Sequence, residues 1–218
     1  NPWTQTIYVR VYYDTTGCAN YVQLPLIVNP TPVATTPVDY HICDDNYDGF
    51  GIFNLTTLNS EILGSLSSTT HSVTYYTSLL NAQTGVSPIT TVTAFPNIIF
   101  HSQPLWAVVT ILATGCTDIV TFNVVVDPLP QATQPAYAPY SLCETSAFGV
   151  GFESFDLEGQ ESGILLGQTG MSVTFYPSLL LAQNNTGAIT TPSYVNTAIY
   201  VQTLGIRITN DATGCFVV

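Results

Sequence analysis

Three stretches decide the fold: Asp14-Thr15-Thr16-Gly17-Cys18, Leu112-Ala113-Thr114-Gly115-Cys116 and Asp211-Ala212-Thr213-Gly214-Cys215. Their cysteines lie 98 and 99 residues apart (116 − 18 and 215 − 116). A period near one hundred indicates tandem modules rather than one globule. Alternating runs flank each corner. Ile7–Tyr13, Leu105–Ile111 and Leu204–Thr209 precede the three corners, while Val22, Leu24, Leu26 and Val28 follow the first and Val120, Phe122, Val124 and Val126 the second. Apolar side chains at every second position mark a strand with one face in a core. The Gly of each corner permits the positive φ that a hairpin turn needs. The expectation is one hairpin, repeated three times.

The repeat divides the chain into residues 1–32, the last two strands of one copy; 33–130, a complete copy; and 131–218, a copy lacking most of its last strand. Asn29-Pro30-Thr31-Pro32 and Asp127-Pro128-Leu129-Pro130 close equivalent strands and read as short semi-rigid linkers. Each module opens on Tyr-x-x-Cys, at Tyr40–Cys43 and Tyr140–Cys143, followed by a strand through Phe53 and Leu55 or Phe155 and Leu157. A Ser/Thr/Gly-rich connection around Ile62-Leu63-Gly64 is expected to hold a short helix. Val73–Tyr76 and Val173–Tyr176 are the clearest strands, and each runs into a helical turn headed by Ser78 or Ser178. Weaker strands are expected near Ile89–Thr93 and Ile98–Phe100. Short strands at this spacing indicate an all-β chain of tandem immunoglobulin-like β-sandwich modules of about one hundred residues.

Composition narrows the function. The chain has no lysine, two arginines (Arg10 and Arg207) and fourteen acids, for a formal net charge of −12. Nucleic acid and anionic lipid both require basic side chains to neutralise phosphate, so neither is an expected partner. No apolar run has the length of a membrane span, so no membrane insertion is expected.

The pattern Cys-Asp-Asp-Asn-x-Asp-Gly with Phe53 and Leu55, then Val-Thr-Tyr-Tyr with a downstream Ala, then Ile-Tyr-Val-Arg-Val, Thr-Gly-Cys and a closing Val-Asn-Pro resembles the tandem repeats of very large surface proteins of gliding Bacteroidota. The second copy departs from it: Cys143-Glu144-Thr145-Ser146-Ala147-Phe148-Gly149 keeps the cysteine and Gly and loses the Asp-Asn-Asp run. The resemblance implies export by the type IX secretion system, an oxidising location at the cell surface, and a role as a gliding-motility adhesin. It names no ligand.

Five cysteines leave one without a partner. The module boundaries favour pairing within modules, Cys43 with Cys116 and Cys143 with Cys215, and leave Cys18 to a partner before residue 1. The competing phase joins Cys18 to Cys43 and Cys116 to Cys143 across the linkers, and a third reading keeps all five as buried thiols. Asp44, Asn46 and Asp48, with Asp45 as a further donor and Gly49 at the turn, have the alternate oxygen donors of a calcium loop. An EF-hand would carry Glu where Leu55 stands, so the choice is between a smaller Ca2+ site and an Asx-rich turn.

Other constellations are weaker. His41, His71 and His101 occupy non-equivalent places, and no nucleophile motif accompanies them, so no catalysis is expected. Tyr8, Arg10 and Tyr12 share the outward parity of their strand and suit either a sugar ring or cross-strand packing. Asn54-Leu55-Thr56 and Asn184-Asn185-Thr186 fit the N-glycosylation sequon, and Asp14-Thr15-Thr16 resembles the O-glycosylation signal of exported Bacteroidota proteins at Thr15. The reading that follows is an extracellular structural and adhesive repeat, forming the stalk or filament of a surface adhesin. Its partners are neighbouring repeats or chains and an unknown surface or glycan. The rivals are a filament subunit completed by strand exchange between chains and a carbohydrate-binding module of a secreted protein.

Overall fold

The computed structural model describes residues 3–132, 139–145 and 150–218. Part of the second linker and Ser146–Gly149 of the second opening motif therefore lie outside the described residues. The first hairpin comprises β1 (Trp3–Tyr12) and β2 (Ala19–Val28), with Trp3 opposite Val28 and Tyr12 opposite Ala19. Its side chains on both faces are exposed.

The complete repeat contains β3 (Tyr40–Cys43), β4 (Ile52–Phe53), α1 (Asn59–Leu63), β5 (His71–Tyr76), α2 (Leu79–Thr84), β6 (Phe95–Pro96), β7 (Ser102–Ile111) and β8 (Thr117–Asp127). One sheet has the order β3-β8-β7-β5 and a second pairs β4 with β6. Phe53, Leu55, Ile62, Tyr75, Leu105, Val109, Phe122 and Val124 are buried. Those of β7 and β8 are the alternating positions of the sequence pattern, because the pleat sends every second side chain to one face. Ser78 caps α2 by accepting from the Asn81 amide, and Gly85 ends it at φ 69°.

The second repeat contains β9 (Ser154–Asp156), α3 (Glu161–Leu165), β10 (Met171–Tyr176), α4 (Leu179–Gln183), β11 (Ser193–Val195), β12 (Gly205–Asn210) and β13 (Phe216–Val217). Its sheets are β10-β12-β13 and β11-β9, over a core of Leu157, Ile164, Phe175 and Ile208. The fold is an all-β sandwich in two tandem copies, with short helices between the strands.

Three local expectations change. Ile89–Thr93 and Ile98–Phe100 form no strands, and Leu55 lies in a 3-10 turn, Leu55–Leu58, beyond the two-residue β4. Buried side chains replace the missing ladder. Asn97 accepts from the Gly51 amide (2.7 Å) and donates to the Ile99 carbonyl (2.9 Å), while Gln103 accepts from the Ile98 amide (2.7 Å). Asn196 and Gln202 do the same work one period later, taking the Glu153 and Thr197 amides at 2.7 Å each. A backbone whose amides meet side-chain acceptors needs no strand partner.

The linker is also more than a spacer. Pro32 and Pro37 are buried, the Ala34 amide donates to Asp118 Oδ2, the Thr35 amide to the Ile62 carbonyl and the Val38 amide to Glu61 Oε1, each at 2.9 Å. By Cα proximity the chain forms two compact units, residues 1–41 with 50–125 and residues 42–49 with 126–218. Ile42–Gly49 thus goes with the end of β8 and the residues after it.

Candidate functional site: the disulfide between repeats

The three corners share one geometry. The amides of Gly17, Gly115 and Gly214 donate to the carbonyls of Tyr13, Ile111 and Asn210 at 2.8 Å, and these glycines have φ of 70°, 73° and 76°. The cysteine that follows is fixed by a hydroxyl: Cys18, Cys116 and Cys215 donate their amides to Thr16, Thr114 and Thr213 Oγ1 at 3.4, 3.4 and 3.3 Å. Each thiol is thereby presented from the same turn.

The bonded pair is Cys43–Cys215, with Cα atoms 5.5 Å apart and 172 residues between them in sequence. This corrects the within-module pairing of Cys43 with Cys116 and Cys143 with Cys215, and the cross-linker pairing as well. Cys18, Cys116 and Cys143 are thiols in this structure. The reason lies in β8. Residue Asp44, next to Cys43, donates its amide to the Asp127 carbonyl at 2.8 Å, at the far end of the strand that starts beside Cys116. Ten residues of strand rise amount to about 33 Å, whereas bonded cysteines need Cα atoms within about 7 Å. Cys43 therefore meets the corner of the next repeat, and Cys215 is almost fully buried by the contact, at 1% exposure.

The loop after Cys43 holds this end in place. Asp44 is 2% exposed and accepts from the amides of Asn46 (3.2 Å) and Gly49 (2.8 Å). Asn46 Nδ2 donates to Asp48 Oδ2 at 2.8 Å, the Asp48 amide donates back to Asn46 Oδ1 at 3.1 Å, and the Tyr47 hydroxyl donates to the Pro130 carbonyl at 3.2 Å. Asp44 and Asn46 oxygens thus accept from the loop's own N–H groups, and Asp45 is exposed. Among the described residues no three His, Cys, Asp or Glu side chains are grouped to hold a metal ion. In the second repeat Glu144 accepts from the Gly151 amide, so a carboxylate again ties the loop.

Burial pushes the Asp44 carboxyl up, but the amides of Gly49, Asn46, Tyr47 and Asp48 outweigh it and hold the group below its ordinary value of 3.8. A folded-state value below the unfolded one gives stability that is present above the unfolded value and is lost as pH falls through the folded one. Wild-type melting temperature is expected to drop below about pH 4, with Asp44→Asn showing a smaller drop. Asp44→Ala, which leaves buried amides without an acceptor, is expected to lose about 2–3 kcal/mol at neutral pH by chemical denaturation. An Asp44→Asn variant with an unchanged acid profile would assign the effect to other carboxylates.

The remaining candidates are dispersed. His71 Nδ1 lies 2.9 Å from Thr70 Oγ1, the His101 ring centroid lies 3.9 Å from that of Phe100, and His41 is in β3. Arg10 sits over the Tyr12 ring of the same strand at 5.1 Å and is in register with Tyr21 on β2. Thr15 is exposed at a corner and Asn184 is exposed at the end of α4. Asn54 caps the 3-10 turn, and its Oδ1 accepts from the Thr56 hydroxyl at 2.7 Å. The Asn97–Gln103 clasp has no local motif in the sequence. Its only signal was recurrence of Asn and Gln at the 99-residue period, as Asn196 and Gln202.

All-β tandem modules bridged across their boundary define a structural repeat of an oxidising compartment, extracellular or periplasmic. The chain belongs to the family of the Flavobacterium inter-domain disulphide bond domain, whose model matches residues 39–130 and 139–218. No curated protein matches the chain. No solved structure matches it either. Among the described residues no helix is long and apolar enough to cross a membrane.

Proposed function

We propose that this chain is a stalk segment of a cell-surface adhesin of a gliding Bacteroidota cell, exported by type IX secretion, with a mechanical and adhesive role and no catalysis. The observation that carries the reading is the Cys43–Cys215 bridge, which ties one repeat to the next covalently. A covalent tie between repeats resists their separation under tension, which suits a stalk. The family's genus supports the Bacteroidota setting. The acidic, lysine-free composition supports a protein-to-protein or glycan contact over one with nucleic acid.

Antibody against residues 33–130, applied to intact cells that make the natural protein, is expected to label the cell surface. Strains in which repeats are deleted from the array are expected to detach at lower shear. Labelling seen only after permeabilisation would place the protein in the periplasm and end the adhesin reading.

A further inference from the structure

We propose that the loop held by the Asn97–Gln103 clasp, together with its counterpart one period later, is the adhesive contact of each repeat, and that it seats on a solid apolar surface. This deepens the stalk reading and rests on it. Neither loop, Asn97–Gln103 or Asn196–Gln202, contains Asp, Glu, Lys or Arg, in a chain whose net charge is −12. Each is an uncharged tip on an acidic protein.

Both loops are built inside out. Their polar Asn97, Gln103 and Asn196 are buried, while the apolar Ile98, Ile99 and Phe100 of one and Ile199, Tyr200 and Val201 of the other stand exposed. The amides of Ile98 and Ile99 both donate to Gln103 Oε1, at 2.7 and 3.3 Å, and Asn196 Nδ2 donates to the carbonyls of Gly151 (2.8 Å) and Ala198 (2.6 Å). A residue at positive φ then turns each loop outward, His101 at 60° and Tyr200 at 65°, a backbone that non-glycine residues seldom adopt. The next amide, of Ser102 or Val201, closes back on the Phe100 or Ile199 carbonyl at 2.8 Å. The tips are also packed within themselves. Phe100 stands edge-on to Phe50 at 6.1 Å, and Ile199 and Tyr200 lie so close over Gly151 that a Cβ there would come within 2.7 and 2.9 Å of them. Exposed apolar side chains scattered singly are ordinary, but a contiguous uncharged group held out by buried amides, and repeated, marks a contact surface. Its ordering cost is met before contact, which is what preorganisation means for binding.

Charge and chemistry select the partner. Anionic lipid headgroups call for basic side chains, and the chain has no lysine. A second copy would bring a second charge of −12, and a tip of three side chains falls far short of the roughly 800 Å² per partner of a stable pair. A sugar site would keep an aromatic ring at one place to stack on the pyranose face, yet the counterpart of Phe100 is Ile199 and that of His101 is Tyr200. What both loops keep is apolarity alone. A hydrocarbon-like solid rewards that by the area dehydrated, without demanding an orientation. One tip per repeat makes the contact multivalent along an array, so that contacts weak one by one hold together.

The test is hydroxyl-radical footprinting of the whole chain adsorbed on octadecyl-silanised silica beads, against the same chain in solution. Phe100 and Tyr200 are expected to lose reactivity several-fold on the beads, while Leu80 on α2 and Leu112 at the second corner, which are just as exposed, keep theirs. A variant carrying Ile98→Ser, Phe100→Ser, Ile199→Ser and Tyr200→Ser is expected to keep the wild-type near-ultraviolet circular dichroism, since all four side chains are exposed, and to be retained about tenfold less under flow. Phe100 and Tyr200 as reactive on the beads as in solution, or a folded variant retained like the wild type, overturns the proposal. Equal protection on bare silica overturns its apolar chemistry, and equal protection on vesicles of neutral phosphatidylcholine overturns the solid surface in favour of a membrane. These measurements use the isolated chain, so an unprotected tip leaves cell-surface labelling standing, whereas labelling only after permeabilisation ends the stalk reading whatever the beads show.

Discussion

Pulled from its ends without reductant, the chain should extend only through residues 1–43 and 215–218, because the bridge shunts the 172-residue stretch between its cysteines. Reduction should release that stretch and add on the order of 600 Å of contour, at about 3.5 Å per residue. Within-module bridges would give a different record, since the linker between Cys116 and Cys143 would extend under either condition. The bridge should also be the largest single contributor to stability. Closing a loop of this length restricts the unfolded chain by about 5 kcal/mol in the chain-entropy account. A Cys43→Ala, Cys215→Ala double variant should therefore unfold at much lower denaturant than the oxidised wild type and match the reduced wild type. Equal extension with and without reductant, or a double variant as stable as the oxidised protein, would remove the bridge from the account.

The hairpins and their period were legible because alternation and turn chemistry are local. β1, β2, β7 and β8 follow from side chains spaced by two and a Gly at φ near 70°. The disulfide phase was not legible, because it depends on which end of β8 receives β3, and no property of Tyr40–Cys43 announces that. The length of β8 keeps Cys43 from Cys116 once β3 is placed beside Asp127 rather than beside Thr117. The loop from Asp44 to Gly49 illustrates a second limit. Alternating Asx oxygens serve a cation or the loop's own amides, and the residue types are the same in both cases. The Asn97 clasp shows a third: a buried amide side chain can take over from a strand ladder, so apolar Ile98 and Ile99 next to it looked like a strand while standing exposed, at 72% and 49%. The prolines of the first linker are legible in the sequence, but the docking of Ala34, Thr35 and Val38 is not, because those bonds use backbone amides that every sequence has.

The second large effect is expected at Tyr75, where the sandwich core and the α1 connection share a hydrogen bond through a buried ring. Tyr75 is 1% exposed, its ring stands edge-on to Phe122 at 6.1 Å, and its hydroxyl donates toward the Leu55 carbonyl (2.8 Å) and Asn59 Oδ1 (2.7 Å). Tyr75→Ala removes the ring and should cost about 3–5 kcal/mol. Tyr75→Phe keeps the ring and strands two acceptors, which should cost about 1–2 kcal/mol. Repeat two already carries Phe175 at this place, so the ring alone suffices for the fold and the Phe variant should remain native in structure. Burial also pushes the Tyr75 phenol well above its ordinary 10.0. A raised folded-state value means stability that is complete below the unfolded value and lost as pH rises past it. The wild type should therefore lose stability above about pH 10 more steeply than Tyr75→Phe, so that the two midpoints converge as the solution becomes alkaline. Denaturant midpoints of the three proteins between neutral and alkaline pH measure all of this. Parallel curves for wild type and Tyr75→Phe would show that the hydroxyl is not the buried donor described here, and an Ala variant no weaker than the Phe variant would take the ring out of the core.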